Sequence, residues 1–328
     1  MTRAWQAAAI AVVLLVPAFG SPVFVLHATE IFVFMVAFAG LHVLTGRLGL
    51  ISIGHGAFMG IGALASAHAV LDLGLPYLVT PLASAIAAAA FGALIAVPSL
   101  RLPGAYLALL TVAMAMALPI LMIRIDGPLG VRIGEDLLPP TWTGLDEYQE
   151  EIWQYGLVVV GAAMVLGLAS LILNGRFGRS LIAVRDEPIA AAAFGINVAR
   201  TQVLGVAFAC GLAGFAGGLL VFATPYVAGD RYTFELSLFM YALTIGFGAQ
   251  RLWMSIPAAL VLIMLPQLLI RFGWAPYQSV VYGLLLLVAT RLAGSGEFVE
   301  VLRRRLKGAS RPTSGSDLTE PDIVLLEV

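Results

Sequence analysis

The chain reads as long apolar stretches separated by short polar ones. A helix rises about 1.5 Å per residue, so about 20 apolar residues cross the hydrocarbon of a bilayer. By that rule the pattern predicts about ten spans, near 4–26, 28–45, 52–70, 77–97, 104–124, 152–173, 202–222, 235–250, 252–272 and 276–292. The stretches 52–70 and 235–250 are glycine-rich or short, as a re-entrant or broken span would be. The expected fold class is therefore all-α: a polytopic membrane bundle of about 8–10 transmembrane helices over residues 1–293. Residues 294–328 are polar and rich in Gly, Ser, Arg and Pro, which predicts a disordered tail. At the other end, Arg3, an apolar core and Ala18-Phe19-Gly20 share the pattern of a secretory leader. The apolar run continues through Pro22–Leu26, which favours an uncleaved first span.

Composition agrees with this pattern. The chain is 60% hydrophobic and 11% charged, with a mean hydropathy of +0.97. A soluble domain carries about 25% charged residues, so this chain has too little charge to cover a water-facing surface. The placement of charge orients the spans, because cytoplasmic loops are enriched in Arg and Lys. Loop 174–200 carries Arg176, Arg179, Arg185 and Arg200, and the tail carries Arg303, Arg304, Arg305, Lys307 and Arg311. Loop 125–151 holds seven carboxylates, from Asp126 to Glu151, against Arg132. The first two segments are expected on the cytoplasmic side and the third outside. Counting spans from there puts Arg47, Arg101, Arg251 and Arg291 inside and Arg124, Arg132, Arg231 and Arg271 outside, with both termini cytoplasmic.

Several function classes lose support. A charge near the bilayer centre costs about 2.5–3.5 kcal/mol and usually marks an ion or proton path. Glu30 and Glu235 are expected near span ends and Asp72 in a short outer loop, which disfavours a proton-coupled carrier. The only lysine, Lys307, is followed by Gly308, so no Walker A loop exists and the chain is expected to bind no ATP or other cofactor itself. Residues Gly54 to Gly60 miss the dinucleotide-binding spacing by one. Cys210 is alone in an apolar run, and His27, His42, His55 and His68 show neither metal-ligand spacing nor carboxylate partners on one face. No nucleophile–base set, metal site or nucleic-acid partner is expected. Gly56-xxx-Gly60 and Gly214-xxx-Gly218 space small residues for close helix packing. Segments 54–65 and 210–220 are weakly alike, as pieces of a diverged internal repeat would be.

The polar stretch NGRFGRSLIAVRDEPIAAAAFGIN, 174–197, lies between two spans. Asn174-Gly175 suits the end of one helix. Asp186 suits the N-cap of a short new helix, with Glu187 in its first turn and Pro188 early, where a missing N–H costs little. Alanine favours the helix through Phe194, Gly195 suits a left-handed stop, and Asn197 suits the cap of the next span. The alanine-rich surface favours close docking of a protein partner. A helix lying on lipid headgroups would want Leu, Phe or Trp on its apolar side.

Three motifs then give a family resemblance. RDEPIAAAAFGINVARTQVLGVAFACGLAGFAGG resembles the cytoplasmic coupling segment and following helix of the branched-chain amino-acid permeases of ATP-binding-cassette importers. Arg185, Asp186, Ala190, Ala191, Gly195, Ile196 and Asn197 fall on its pattern. GLISIGHGAFMGIGALASA (49–67) and PSLRLPGAYLALLTVAMA (98–115) are similar to two further signatures. The chain departs from the family pattern at IDGPLGVRIG, at GFGAQR (246–251) and at Pro188.

The resemblance implies a permease paired with a second, homologous permease, driven by two cytoplasmic ATPase subunits that bind the ATP. A periplasmic or extracellular binding protein would deliver the small-molecule substrate. The coupling segment would be 176–197, with Arg185, Asp186, Glu187, Ala190, Ala191, Gly195 and Asn197 as coupling residues. Arg185 and Asp186/Glu187 would anchor it in an ATPase groove. Ser52, His55, Gly56, Gly60, Tyr106 and Thr111 are candidates for the translocation path. Rival expectations are a permease for urea, short amides, sugars or another small solute, and, from another class, a secondary transporter or channel.

Overall fold

The computed structural model describes residues 21–99, 105–127, 130–132, 147–224, 226–284 and 287. It is an all-α bundle. Helix α1 (Pro22–Leu41) runs on as a π-helical turn, His42–Arg47. An irregular segment, 48–54, separates it from α2 (His55–Leu71). There follow α3 (Thr80–Ser99), α4 (Ala105–Asp126), α5 (Glu147–Asn174), α6 (Arg176–Asp186), α7 (Pro188–Ala193), α8 (Val198–Ala223), α9 (Phe234–Phe247) and α10 (Ser255–Arg271). Residues 278–284 are helical too. The one sheet among the described residues is a two-residue antiparallel ladder, β1 (Val131–Arg132) on β2 (Tyr226–Val227).

Six helical segments among the described residues are long and apolar enough to cross a membrane: 22–47, 77–98, 108–126, 151–174, 198–223 and 252–271. They answer six of the ten expected spans. Helix α2, at 17 residues, and α9, at 14, are the two stretches expected to be short. The expected spans 4–26 and 276–292 lie largely or partly outside the described residues, as does the whole of 294–328. One expected boundary is corrected. Ser21 has extended backbone and Pro22 is the first helical residue, so the helix begins at 22 and runs through the break expected near residue 27. Glu30 therefore sits about two turns inside α1 rather than near its end.

Helix α8 is the axle of the bundle. Over its apolar stretch 83% of residues are buried, against 22% for the corresponding stretches of α4 and α5, whose outer faces carry Leu109, Met116, Ile120, Val160, Met164 and Leu171 in the open. Glycine brings the neighbours close. A Cβ on Gly214 would strike Ser84 and Ala88 of α3, and one on Gly218 would strike Pro81 and Ser84. Across the other face, Gly62 of α2 meets the Gly214 backbone, and Gly217 meets the Met59 carbonyl. The two segments expected to be related by a repeat, 54–65 and 210–220, thus pack directly on each other.

The charged groups gather at two opposite ends. At one end Arg47 reaches the Leu173 carbonyl and Arg185 reaches the Gly46 carbonyl. At the other, His68 lies 2.7 Å from Asp72 and 3.2 Å from Asp126, and Glu30 lies 3.5 Å from His27 and 3.7 Å from Arg231. Residues that charge counting assigned to one side of the membrane therefore meet on one end of the bundle. These pairs also correct the expectation that the histidines lack carboxylate partners on one face. No group of three or more potential ligands fit to hold a metal occurs among the described residues.

Candidate functional site: a broken helix above a two-helix surface loop

The break between α1 and α2 begins where the α-helical ladder slips. The His42 ring sits 2.7 Å from the Phe38 carbonyl, and the following turn widens so that the Leu48 N–H bonds the Val43 carbonyl five residues back. A π-turn inside a helix commonly marks a functional position. Beyond it, Gly49 takes a left-handed conformation (φ 70°) and the chain runs irregularly to Gly54. Irregular backbone at membrane depth persists only where protein or a cavity satisfies its polar groups. Here side chains from distant helices do so. Thr111 of α4 accepts from the Ile53 N–H at 3.3 Å, and Ser237 of α9 accepts from the Gly56 N–H at 3.1 Å. The His55 ring nitrogen Nε2 lies 3.1 Å from the Ala37 carbonyl of α1 and fixes the other side of the break.

Four of the expected path residues, Ser52, His55, Gly56 and Thr111, meet at this break. Ser52, His55 and Thr111 are each at most 3% exposed, and so is Ser237. Gly54 abuts the Thr111 carbonyl, where no Cβ would fit. The Ser52 hydroxyl and His55 Nδ1 are buried with no hydrogen-bond partner among the described residues. Gly60 lies one turn further along α2, against Leu118 and the buried Tyr232. Tyr106 falls within α4, but its side chain lies outside the described residues, as do Leu100, Arg101 and Gly104 of the same motif. Sequence reasoning missed Ser237. Its only signal was a serine near the start of a short span, four residues after Thr233, which caps α9 through the Leu236 N–H.

The loop 174–197 holds two helices rather than one. Gly175 is not left-handed (φ −80°); it is the N-cap of α6, an 11-residue amphipathic helix that buries Gly178, Leu181 and Val184 at three-residue intervals. Asp186 is the last residue of α6, and the cap of α7 is Glu187, which corrects the expected N-cap. The reason is Pro188: a residue before proline is pushed out of the α region, and Glu187 is not helical (φ −153°, ψ 89°). Two expectations agree with the structure. Gly195 is left-handed (φ 83°), and the Asn197 side chain accepts the Arg200 N–H at 2.9 Å to cap α8.

The exposed surface of the loop takes in Ala192 and Ala193 but not the whole alanine run, and it carries two larger apolar side chains. Ala191 is buried and Ala190 is half-buried, whereas Ile189 and Phe194 are 81% and 88% exposed. Asp186 and Glu187 flank them in the open. Arg185 turns inward. Its Nε and Nη2 hold one Asp186 oxygen at 2.8 and 2.7 Å, while Nη1 donates to the Gly46 carbonyl of the π-turn. A cleft of about 450 Å³ opens beside it, lined by Thr45, Gly46, Arg185, Gly248, Gln250 and Arg251 among others.

Six apolar helices of membrane-crossing length define the class as a multi-pass membrane protein. Residues 7–290 match the family described as the permease component of the branched-chain amino acid transport system, and the chain belongs to that family. It is 28% identical over 272 residues to the high-affinity branched-chain amino acid transport system permease protein LivM of Salmonella typhimurium, and likewise to that of Escherichia coli. Each match covers 75% of this chain and 63% of the relative, so the chain spans under two thirds of the length of these relatives. No solved structure matches it.

Proposed function

We propose that this chain is the transmembrane permease subunit of an ATP-binding-cassette importer that carries branched-chain or other apolar amino acids. The observation that carries the reading is the loop α6–α7. It presents two bare apolar side chains, Ile189 and Phe194, and holds its inner face directly against the break in α1–α2. Family membership and the printed names of the two relatives support the same reading. In it, two ATPase subunits dock on Ile189, Phe194, Asp186 and Glu187, a second permease completes the path, and a periplasmic or extracellular binding protein delivers the solute. The arginine-rich end faces the cytoplasm of a bacterial or archaeal cell, with both termini on that side. Residues 1–293 form the permease domain and 294–328 a cytoplasmic tail.

The translocation path runs past Ser52, His55, Gly56, Gly60, Tyr106, Thr111 and Ser237. Small neutral hydroxyls beside apolar helices suit passing contact with an amino acid, tight recognition being left to the binding protein. The same hydroxyls also suit urea, a short amide or a sugar, which is the second reading. The deciding experiment purifies the tagged chain from its native membrane in mild detergent and identifies the chains that accompany it. The complex is then placed in vesicles with ATP inside, and uptake of leucine, isoleucine and valine is compared with that of urea and a sugar. Co-purifying ATPase subunits and ATP-dependent leucine uptake are expected. A chain that comes out alone and moves solute without ATP refutes the importer.

A further inference from the structure

We propose that Arg185 is the positioning residue that transmits movement of the α6–α7 loop to the broken segment 46–54, rather than a contact to the ATPase. This rests on the importer reading above.

The geometry assigns the role in three steps. First, the guanidinium is aimed inward. Asp186, itself exposed, holds Nε and Nη2 on one carboxylate oxygen and so turns Nη1 onto the Gly46 carbonyl. A planar fork held at two nitrogens has one direction left for the third. Second, the stem is fitted to the break. Gly49 is left-handed, and a Cβ there would come within 2.6 Å of Arg185 Cγ and 3.1 Å of Cδ. Gly46 and Gly49, the two glycines of the segment's start, thus receive the head and the stem of one side chain. Third, the segment so held leads without interruption through Ser52 to Ile53, His55 and Gly56, whose hydrogen bonds to α4, α1 and α9 close the break. The same segment is also pinned to the moving parts by packing, since Leu48 and Leu181 of α6 meet at Gly205 of α8. A displacement of α6 therefore pulls on the backbone just before the path residues.

The test uses the assembled complex and three variants. Arg185→Met keeps an apolar stem against Gly49 and removes every donor. Arg185→Lys keeps the stem and one donor for the Gly46 carbonyl. Gly49→Ala crowds the stem from the opposite side and leaves the loop's own sequence unchanged. Co-purified ATPase, ATP hydrolysis and uptake of the solute carried by the wild-type complex are measured together. In Arg185→Met and Gly49→Ala the ATPase subunits are expected to remain bound while ATP hydrolysed per solute moved rises roughly tenfold, and Arg185→Lys is expected to restore most of the coupling. A Phe194→Asp control is expected to lose the ATPase subunits instead. If Arg185→Met also loses them while Gly49→Ala behaves as wild type, Arg185 is an ATPase contact and the transmission role is refuted. Normal coupling in Arg185→Met refutes it as well. A wild-type chain that brings down no ATPase fails at the earlier step and removes the importer reading itself.

Discussion

The chain interrupts its helices in two places that look alike in outline and differ in how the interruption is held. At 48–54 the break starts in the open at Gly49 and Ile51 but ends enclosed at Ser52 and Gly54, where Thr111, Ser237 and the Ala37 carbonyl, all distant in sequence, meet the groups around it. At Glu187 the break lies in the open, no side chain caps α7, and the local turn suffices. Water supplies at the second place what folded neighbours must supply at the first, because an unpaired backbone group away from water carries its full desolvation cost. A buried interruption therefore depends on the whole bundle being assembled, whereas a surface one depends on a few adjacent residues. The first is tied to three helices at once; the second is set by its neighbours in sequence.

The largest effect that sharpens this contrast is expected at Gly54. Any Cβ there meets the Thr111 backbone, so Gly54→Val should reduce detergent-stable protein roughly tenfold, as severe core changes do; size-exclusion profiles at equal expression measure it. Ser237→Ala should come next. It strands the buried Gly56 N–H at a cost of about 1–3 kcal/mol, read as a lower unfolding midpoint in detergent. Asn197→Ala removes a cap at the water-exposed end of α8 and should cost at the low end of about 0.5–2 kcal/mol, read as faster amide exchange confined to the first turn of α8. Equal losses in Ser237→Ala and Asn197→Ala would erase the distinction between the two kinds of break.

Much of the architecture was legible in the chain because lipid imposes a simple rule on length and polarity. The six long spans, the short α2 and α9, the Gly195 stop and the Asn197 cap all follow from local signals. An interruption was expected between the spans 28–45 and 52–70, but its extent was not legible: LGLISIG is apolar and free of proline, so hydropathy gives no sign that the next helix starts only at His55. Helix α6 carried a signal, Gly178, Leu181 and Val184 on one face, but its arginines made it read as loop. The candidate path residues on α2 and α4 were recognisable from their motifs. Their partner Ser237 was not, because its role comes from a contact across 181 residues of chain. The inward turn of Arg185 was hidden for the same reason, being a contact across 139 residues.

The glycine seam between α2 and α8 has a mechanical consequence. Where Gly62, Gly214 and Gly217 bring the two backbones together, there are no side-chain teeth to mesh. Interlocked side chains must change rotamer before one helix can advance past another, but smooth backbones can shear by small steps without that barrier. A close contact is thus also a bearing, and its Gly62 lies about two turns from His55 along α2.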